Sequence, residues 1–286
     1  MTDVRIGTRR IGGDQPPFII AEVGINHEGD VEKALQCVDA AVAAGADCVK
    51  FQCHITEAEM ISTDMKPGRI SEERLWDIIK RCELTEEEER RIKAHCEAKD
   101  VLYLCTPFSR EAADRLERMG VVAYKIGSGE CNNTPLVEHI ARKDRPIILS
   151  TGMSTLDQVD HAIEILGIDD LVILQCTASY PSRPEELNLR VIKTYRARYN
   201  CVVGYSGHEI ECQPTLAAVA LGACYIERHI TVDRSMWGSD QVSSLEPEEF
   251  KRLVRDVRII EASMGDGVKR VYESERPAMI RLRGAV

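Results

Sequence analysis

The strongest constraint on this chain is a repeated alternation. Eight short apolar or β-branched runs recur: Phe18 to Val23, Cys48 to Gln52, Leu102 to Thr106, Ala123 to Ile126, Ile147 to Ser150, Leu171 to Gln175, Val202 to Tyr205 and Tyr225 to His229. Near-continuous apolar runs of this length read as strands buried on both faces, as in parallel sheets. Between them lie helical patterns. Val31, Leu35, Val38 and Val42 recur at helical spacing after Asp30, a good N-cap, and the pattern stops at Gly45. Ser154-x-x-Asp157 reads as a capping box ahead of Leu156, Val159 and Ile163, with Gly167 as the stop; Pro247 suits a first turn before Phe250, Leu253, Val257 and Ile260. Eight strand and helix alternations in 286 residues predict one (β/α)₈ barrel over residues 1–265, closed below by a hairpin within 1–17 and followed by a charged tail at 266–286. Counting alone leaves an open sheet as the other solution. Residues 53–70 form a long connection, the kind that serves as a binding loop or lid, before a helical pair that divides near Leu84 and Thr85.

In such a barrel the C-terminal strand ends meet at one mouth, so polar residues that end apolar strands are the candidates for chemistry. Strand one ends in Glu22 and runs on to Asn26 and His27; strand two supplies Lys50 and Gln52; strand three Thr106; strand four Lys125, Ser128 and Glu130; strand five Ser150. The last three add Cys176, Thr177 and Tyr180, then Ser206 and His208, then Glu227, Arg228 and His229. Lys50 and Lys125 alternate with apolar neighbours and so point into the barrel, where a lone charge costs several kcal/mol. That arrangement serves anion binding, Schiff-base chemistry, or plain pairing with Glu22, Glu130 or Glu227. His208 and His229 fall at the mouth on adjacent strands, near enough to share one divalent ion and leave positions open. His54, His95, His139 and His161 read as surface residues of helices or of the long loop. The GSGE and STGM stretches offer backbone amides to an anion, or are simply turns.

The formal charge of −10, from 47 acidic and 37 basic residues, disfavours nucleic acid and anionic membranes as partners. An anionic substrate therefore needs local cations. No signal-peptide core or membrane-spanning run stands out, which makes a cytoplasmic location the expected one. The eleven cysteines include no C-x-x-C pair and sit mostly in apolar runs, as buried reduced thiols do.

FIIAEVGINHEG, VKFQ, TPF, YKIGSGE, LSTGM, LQCTASYP, GYSGHE and ERHITVDRSMWGSDQVSSLEP occur in that order. Together they resemble the sialic acid synthase family, the N-acetylneuraminate and N-acetylneuraminate-9-phosphate synthases, over about residues 15–265. The resemblance implies a (β/α)₈ barrel that condenses phosphoenolpyruvate with an open-chain hexosamine, such as N-acetylmannosamine or its 6-phosphate, giving a nonulosonic acid and phosphate. It implies a divalent metal, manganese foremost and magnesium or cobalt otherwise, and a homodimer. Residue by residue, it implies that Lys50, Thr106, Lys125, Ser128, Ser150 and Ser206 grip phosphoenolpyruvate, and that His208 and His229 hold the metal. Gln52, Glu130, Tyr180 and Asp240 would face the acceptor sugar, with Glu22 close to the metal; Glu22, Glu130 and Lys125 are the candidate catalytic residues. Two departures stand out. Ala178 stands where bacterial members often carry Asn, which leaves Ser179 as the neighbouring polar group. The chain also stops before the small antifreeze-like domain of full-length members, whose arginine reaches the acceptor of a partner subunit. The expectation is then a truncated chain, a different acceptor, or a contact supplied from 53–70. A synthase of a deaminated or eight-carbon sugar acid, a Schiff-base aldolase and a non-catalytic barrel are the competing readings.

Overall fold

A computed structural model describes residues 3–67 and 72–283. The expected apolar runs all form strands. β1 (Asp3–Ile6) and β2 (Arg9–Gly12) pair antiparallel. They are followed by β3 (Phe18–Gly24), β4 (Cys48–Cys53), β5 (Leu102–Pro107), β6 (Tyr124–Ile126), β7 (Ile147–Ser150), β8 (Leu171–Cys176), β9 (Val202–Gly207) and β10 (Tyr225–His229). These eight form one sheet in the order β5-β4-β3-β10-β9-β8-β7-β6, and every pair in it is parallel. The sheet curls until β5 and β6 lie side by side, so the architecture is a (β/α)₈ barrel rather than an open sheet.

A helix follows each barrel strand and covers its outer face. The first, Val31–Ala44, starts where the Asp30 side chain accepts from the Glu32 and Lys33 amides. It ends at Gly45, whose φ of 87° lies in the left-handed region that glycine enters without strain. Its buried stripe is Val31, Ala34, Cys37, Val38 and Ala41. The helix after β7, Leu156–Leu166, corrects one expectation: its cap is Thr155, which forms a capping box with Gln158, and Leu156 is largely exposed. The capping side chain must reach the third helical residue, which is Gln158; three on from Ser154 stands Asp157, only the second residue of the helix. The divided helical pair is Leu75–Cys82 and Glu86–Ala98, the second capped by Thr85 with Glu88.

Below the barrel, Val4, Ile6 and Ile11 of the hairpin pack against Phe18, Ile20, Val202 and Tyr225. Burying each aliphatic side chain there contributes roughly 1.5–3 kcal/mol. The result is an apolar plug at one end, which leaves the opposite end for chemistry. Of the expected tail, residues 276–283 form a helix, Arg276–Arg283, with no buried residue. Residues 1–2 of the expected hairpin, 68–70 of the expected lid and 284–286 of the tail lie outside the described residues. Within the long connection, Thr56–Glu59 forms a short helix. All eleven cysteines are free, eight of them buried.

Candidate active site

Strand side chains alternate between two faces, so residues two apart share one. Ile20, Cys48, Leu104, Ala123, Ile148, Leu174 and Tyr225 build the apolar interior layer. The positions two residues further along are Glu22, Lys50, Thr106, Lys125, Ser150, Cys176 and Glu227. One step toward the mouth, the barrel interior thus changes from apolar to polar and charged.

Within this layer Lys50 Nζ lies 2.7 Å from Glu22 and 3.5 Å from Glu227, and donates to Thr106 Oγ1 at 3.2 Å. Lys125 Nζ donates to Ser150 Oγ at 2.7 Å and lies 3.9 Å from Glu227. Glu227 also accepts from Ser206 Oγ at 3.0 Å. Burial pushes the Glu22 carboxyl up to about 7, against the pull of Lys50 and with a push from Glu227. Burial opposes the charge of Lys50, but Glu22 and Glu227 outweigh it and its pKa is raised. Lys125 goes the other way: burial lowers it, and Glu227 offsets only part of the effect. Glu227 resists burial because both lysines hold its carboxyl below the usual range. The pairing reading of the lysines is therefore partly right: Glu22 and Glu227 neutralise them, and Glu130 does not.

Toward solvent the layer opens into a cavity of about 180 Å³. Its lining includes Glu22, Lys50, Gln52, Thr106, Lys125, Ser128, Ser150, Tyr180, Ser206, His208 and His229. The rings of His208 and His229 stand 5.3 Å apart, with Tyr180 4.1 Å from the first and 5.7 Å from the second. His208 Nδ1 donates to the Thr177 carbonyl at 2.8 Å, which leaves Nε2 as the nitrogen free to face an ion; burial opposes its charge, but Cys176 and the Thr177 carbonyl outweigh it and raise its pKa. His229 Nδ1 is buried with no hydrogen-bond partner, and Asp240 Oδ2 is 3.6 Å from it. Burial, helped by His208, drives the His229 pKa well below its usual value, so the ring is neutral. One imidazole braced by a backbone carbonyl and a second, neutral one with an orphaned buried nitrogen match the donor set a borderline divalent ion takes. Among the described residues no group of three or more His, Cys, Asp or Glu side chains adds a larger ligand set. Any ion here would thus rest on the two imidazoles, completed by water or substrate oxygen.

Two expected residues do not line the cavity. Glu130, in the turn Ser128–Glu130, accepts from Asn133 Nδ2 at 2.5 Å; Asp240 lies behind the lining, with Oδ2 3.6 Å from His229 Nδ1. Other expectations need correction. Arg228 has the opposite strand parity from Glu227 and His229, so it points into the helix layer. There it pairs with Glu209 at 3.2 Å and bonds Thr215, a structural role. Asn26 braces Ile230 O and Ser244 Oγ. His54 is buried, not on the surface: it contacts Gln52 and Glu59. Its position gave the signal, since Lys50, Gln52 and His54 are spaced two apart on one face. A larger hollow of about 550 Å³ shares Met153, Cys176 and Ala178 with the cavity. It is lined by no histidine, lysine or arginine, so the chemistry belongs to the smaller space.

A barrel mouth with two buried ammonium groups, a ring of hydroxyls and paired imidazoles defines an enzyme that handles a small anion. The chain belongs to the NeuB family, whose model matches residues 37–269. It is 37% identical to the N,N'-diacetyllegionaminic acid synthase of Campylobacter jejuni over 91% of this chain and 80% of that protein. It is 36% identical to human N-acetylneuraminate-9-phosphate synthase over 93% and 76%. Among solved structures, the N-acetylneuraminic acid synthetase of Leptospira borgpetersenii serovar Hardjo-bovis, in complex with citrate, superimposes with a TM-score of 0.87 at 32% identity, covering 99% of this chain and 98% of that one.

Proposed function

We propose that this enzyme condenses phosphoenolpyruvate with the open-chain form of a hexosamine of the N-acetylmannosamine kind, giving a nonulosonic acid and phosphate. The observation that carries the reading is the layered mouth: Lys50 and Lys125 among hydroxyls at the base of the cavity, and the two imidazoles in the same space. Lys50 and Lys125, with Thr106, Ser128, Ser150 and Ser206, bind the carboxylate and phosphate of phosphoenolpyruvate, cations supplying charge and hydroxyls fitted donors. Its C3 then attacks the aldehyde carbon of the sugar, forming the new C–C bond, and water adds at the resulting cationic C2. The tetrahedral adduct expels phosphate and leaves a ketone. Glu22, poised near neutrality, holds or moves a proton at the new hydroxyl or at the water. Gln52, Tyr180, Glu130 and Asp240 orient the acceptor. His208 and His229 would hold a divalent ion, manganese or else magnesium or cobalt, which when bound supplies Lewis-acid polarisation of the aldehyde.

The relatives are named for two different products. The acceptor is best found with a panel of mannose derivatives, phosphorylated and not, and shorter or deaminated sugars. Phosphate release from phosphoenolpyruvate and manganese with one of these is the expected result. No release with any sugar overturns the proposal. A second reading has one observation in its favour, the lowered pKa of Lys125, which suits a Schiff base; borohydride trapping with substrate separates the two. No helix among the described residues is long and apolar enough to cross a membrane. Eleven free thiols suit a reducing cytoplasm, and a twofold homodimer is the assembly to test by light scattering.

A further inference from the structure

His54 sits two residues beyond Gln52, its ring stacked on Phe108 at 4.5 Å between centroids and 20° between planes. Its side chain and that of Glu59 are each 4% exposed. His54 Nδ1 lies 3.0 Å from both Glu59 oxygens, and Nε2 lies 3.1 Å from Gln52 Oε1. Gln52 Nε2 in turn donates to Glu22 Oε1 at 3.1 Å. The short helix that carries Glu59 is itself tied down, because the Thr56 amide and hydroxyl both donate to Glu83 Oε2, at 3.2 and 2.7 Å. Four side chains thus run in one line from the long connection to the charged layer.

Counting donors along that line orients it. With Glu22 ionised, as its ion pair with Lys50 at 2.7 Å favours, both ends are carboxylates that only accept. Gln52 then turns its NH₂ toward Glu22 and its oxygen toward His54, whose Nε2 faces that oxygen as an N–H donor. The reversed carboxamide would set oxygen against oxygen at Glu22. With one N–H committed to Glu22, the second N–H of Gln52 is the one left to serve the cavity that Gln52 lines. We infer that His54, clamped by Glu59, is a positioning residue that holds the Gln52 carboxamide as a donor to an oxygen of the acceptor sugar. The inference rests on the proposed condensation for the identity of the ligand, but not for the orientation of Gln52.

The test compares wild type with His54→Phe, which keeps the stack and loses both ring nitrogens, and His54→Gln, whose amide nitrogen can stand in for Nε2. With H54F, KM for the acceptor rises roughly tenfold, the size expected from one lost hydrogen bond, while KM for phosphoenolpyruvate stays unchanged. H54Q recovers most of the loss. Unchanged acceptor KM in H54F, or an equal fall in kcat for both variants with every KM unchanged, overturns the inference. A second readout needs no turnover: the ¹⁵N relaxation of the Gln52 side-chain amide should report a rigid group in wild type and a mobile one in H54F. Equal order in the two proteins overturns it. If H54F fails to fold, Glu59→Ala carries the same comparison, because it removes the clamp and leaves the ring. If wild type releases no phosphate with any sugar, the condensation reading falls, and the relaxation result still decides the role of His54.

Discussion

Replacing Lys125 by Met tests the charged layer most directly. The substitution keeps much of the side-chain volume and removes one ammonium group that is 3% exposed. Burial already lowers the lysine pKa, so its charge is held at a cost, and losing it relieves that cost. Glu227 loses a partner at 3.9 Å but keeps Lys50 at 3.5 Å and the Ser206 hydroxyl at 3.0 Å. The two effects oppose each other, and the fold should survive with its melting temperature little changed. Binding should not survive intact. A charge-assisted hydrogen bond to an anion is worth about 1.5–3 kcal/mol, which is roughly 10- to 150-fold in affinity. Titration calorimetry of phosphoenolpyruvate against wild type and K125M reads this number, and a thermal melt confirms that both are folded. A folded K125M that binds phosphoenolpyruvate as tightly as wild type would refute the assignment of this lysine to the anion.

Three further outcomes are expected. His208→Ala or His229→Ala should abolish stoichiometric manganese binding, measured by equilibrium dialysis with metal analysis, while circular dichroism stays unchanged; retained stoichiometry in either variant removes that residue from the metal site. His27 is held near a pKa of about 4, chiefly by burial. Its unfolded value is higher, so the unfolded chain binds the extra proton between about pH 6.5 and 4. Its contribution to stability is complete above 6.5 and is lost as pH falls through that window, by up to roughly 3 kcal/mol. His27→Asn, which can still accept from the Gly29 amide, should flatten this part of the stability profile in urea titrations, and an unchanged slope would count against the assignment. Gly204→Ala would set its Cβ 2.5 Å from the Tyr225 carbonyl and 2.6 Å from Leu174 inside the barrel. Overpacking of about 1–3 kcal/mol should lower the melting temperature by several degrees, and an unchanged melt would show that the interior can yield there.

The strands, and the face each residue takes on them, were legible in the sequence. An apolar run bounded by turn residues becomes a strand for local reasons, and the two-residue period then sends Lys50 and Lys125 inward along with their apolar neighbours. Eleven of the thirteen expected site residues accordingly line one cavity. The same rule, carried two residues past Gln52, would have brought in His54, and applied to β10 it would have turned Arg228 away from the mouth.

Pairing was decided only in three dimensions. That Glu227 lies within 4 Å of both lysines, that Glu22 spans Lys50 and Gln52, and that Glu59 closes on His54 all depend on contacts between different elements. So does the absence of Glu130 and Asp240 from the cavity lining, since each sits on a connection whose path is set by what it packs against. Strand parity is a property of the backbone within one segment, and the sequence carries it. The register between strands that are far apart in the chain is fixed by closing the barrel around its core, and the chemistry of this mouth depends on that register.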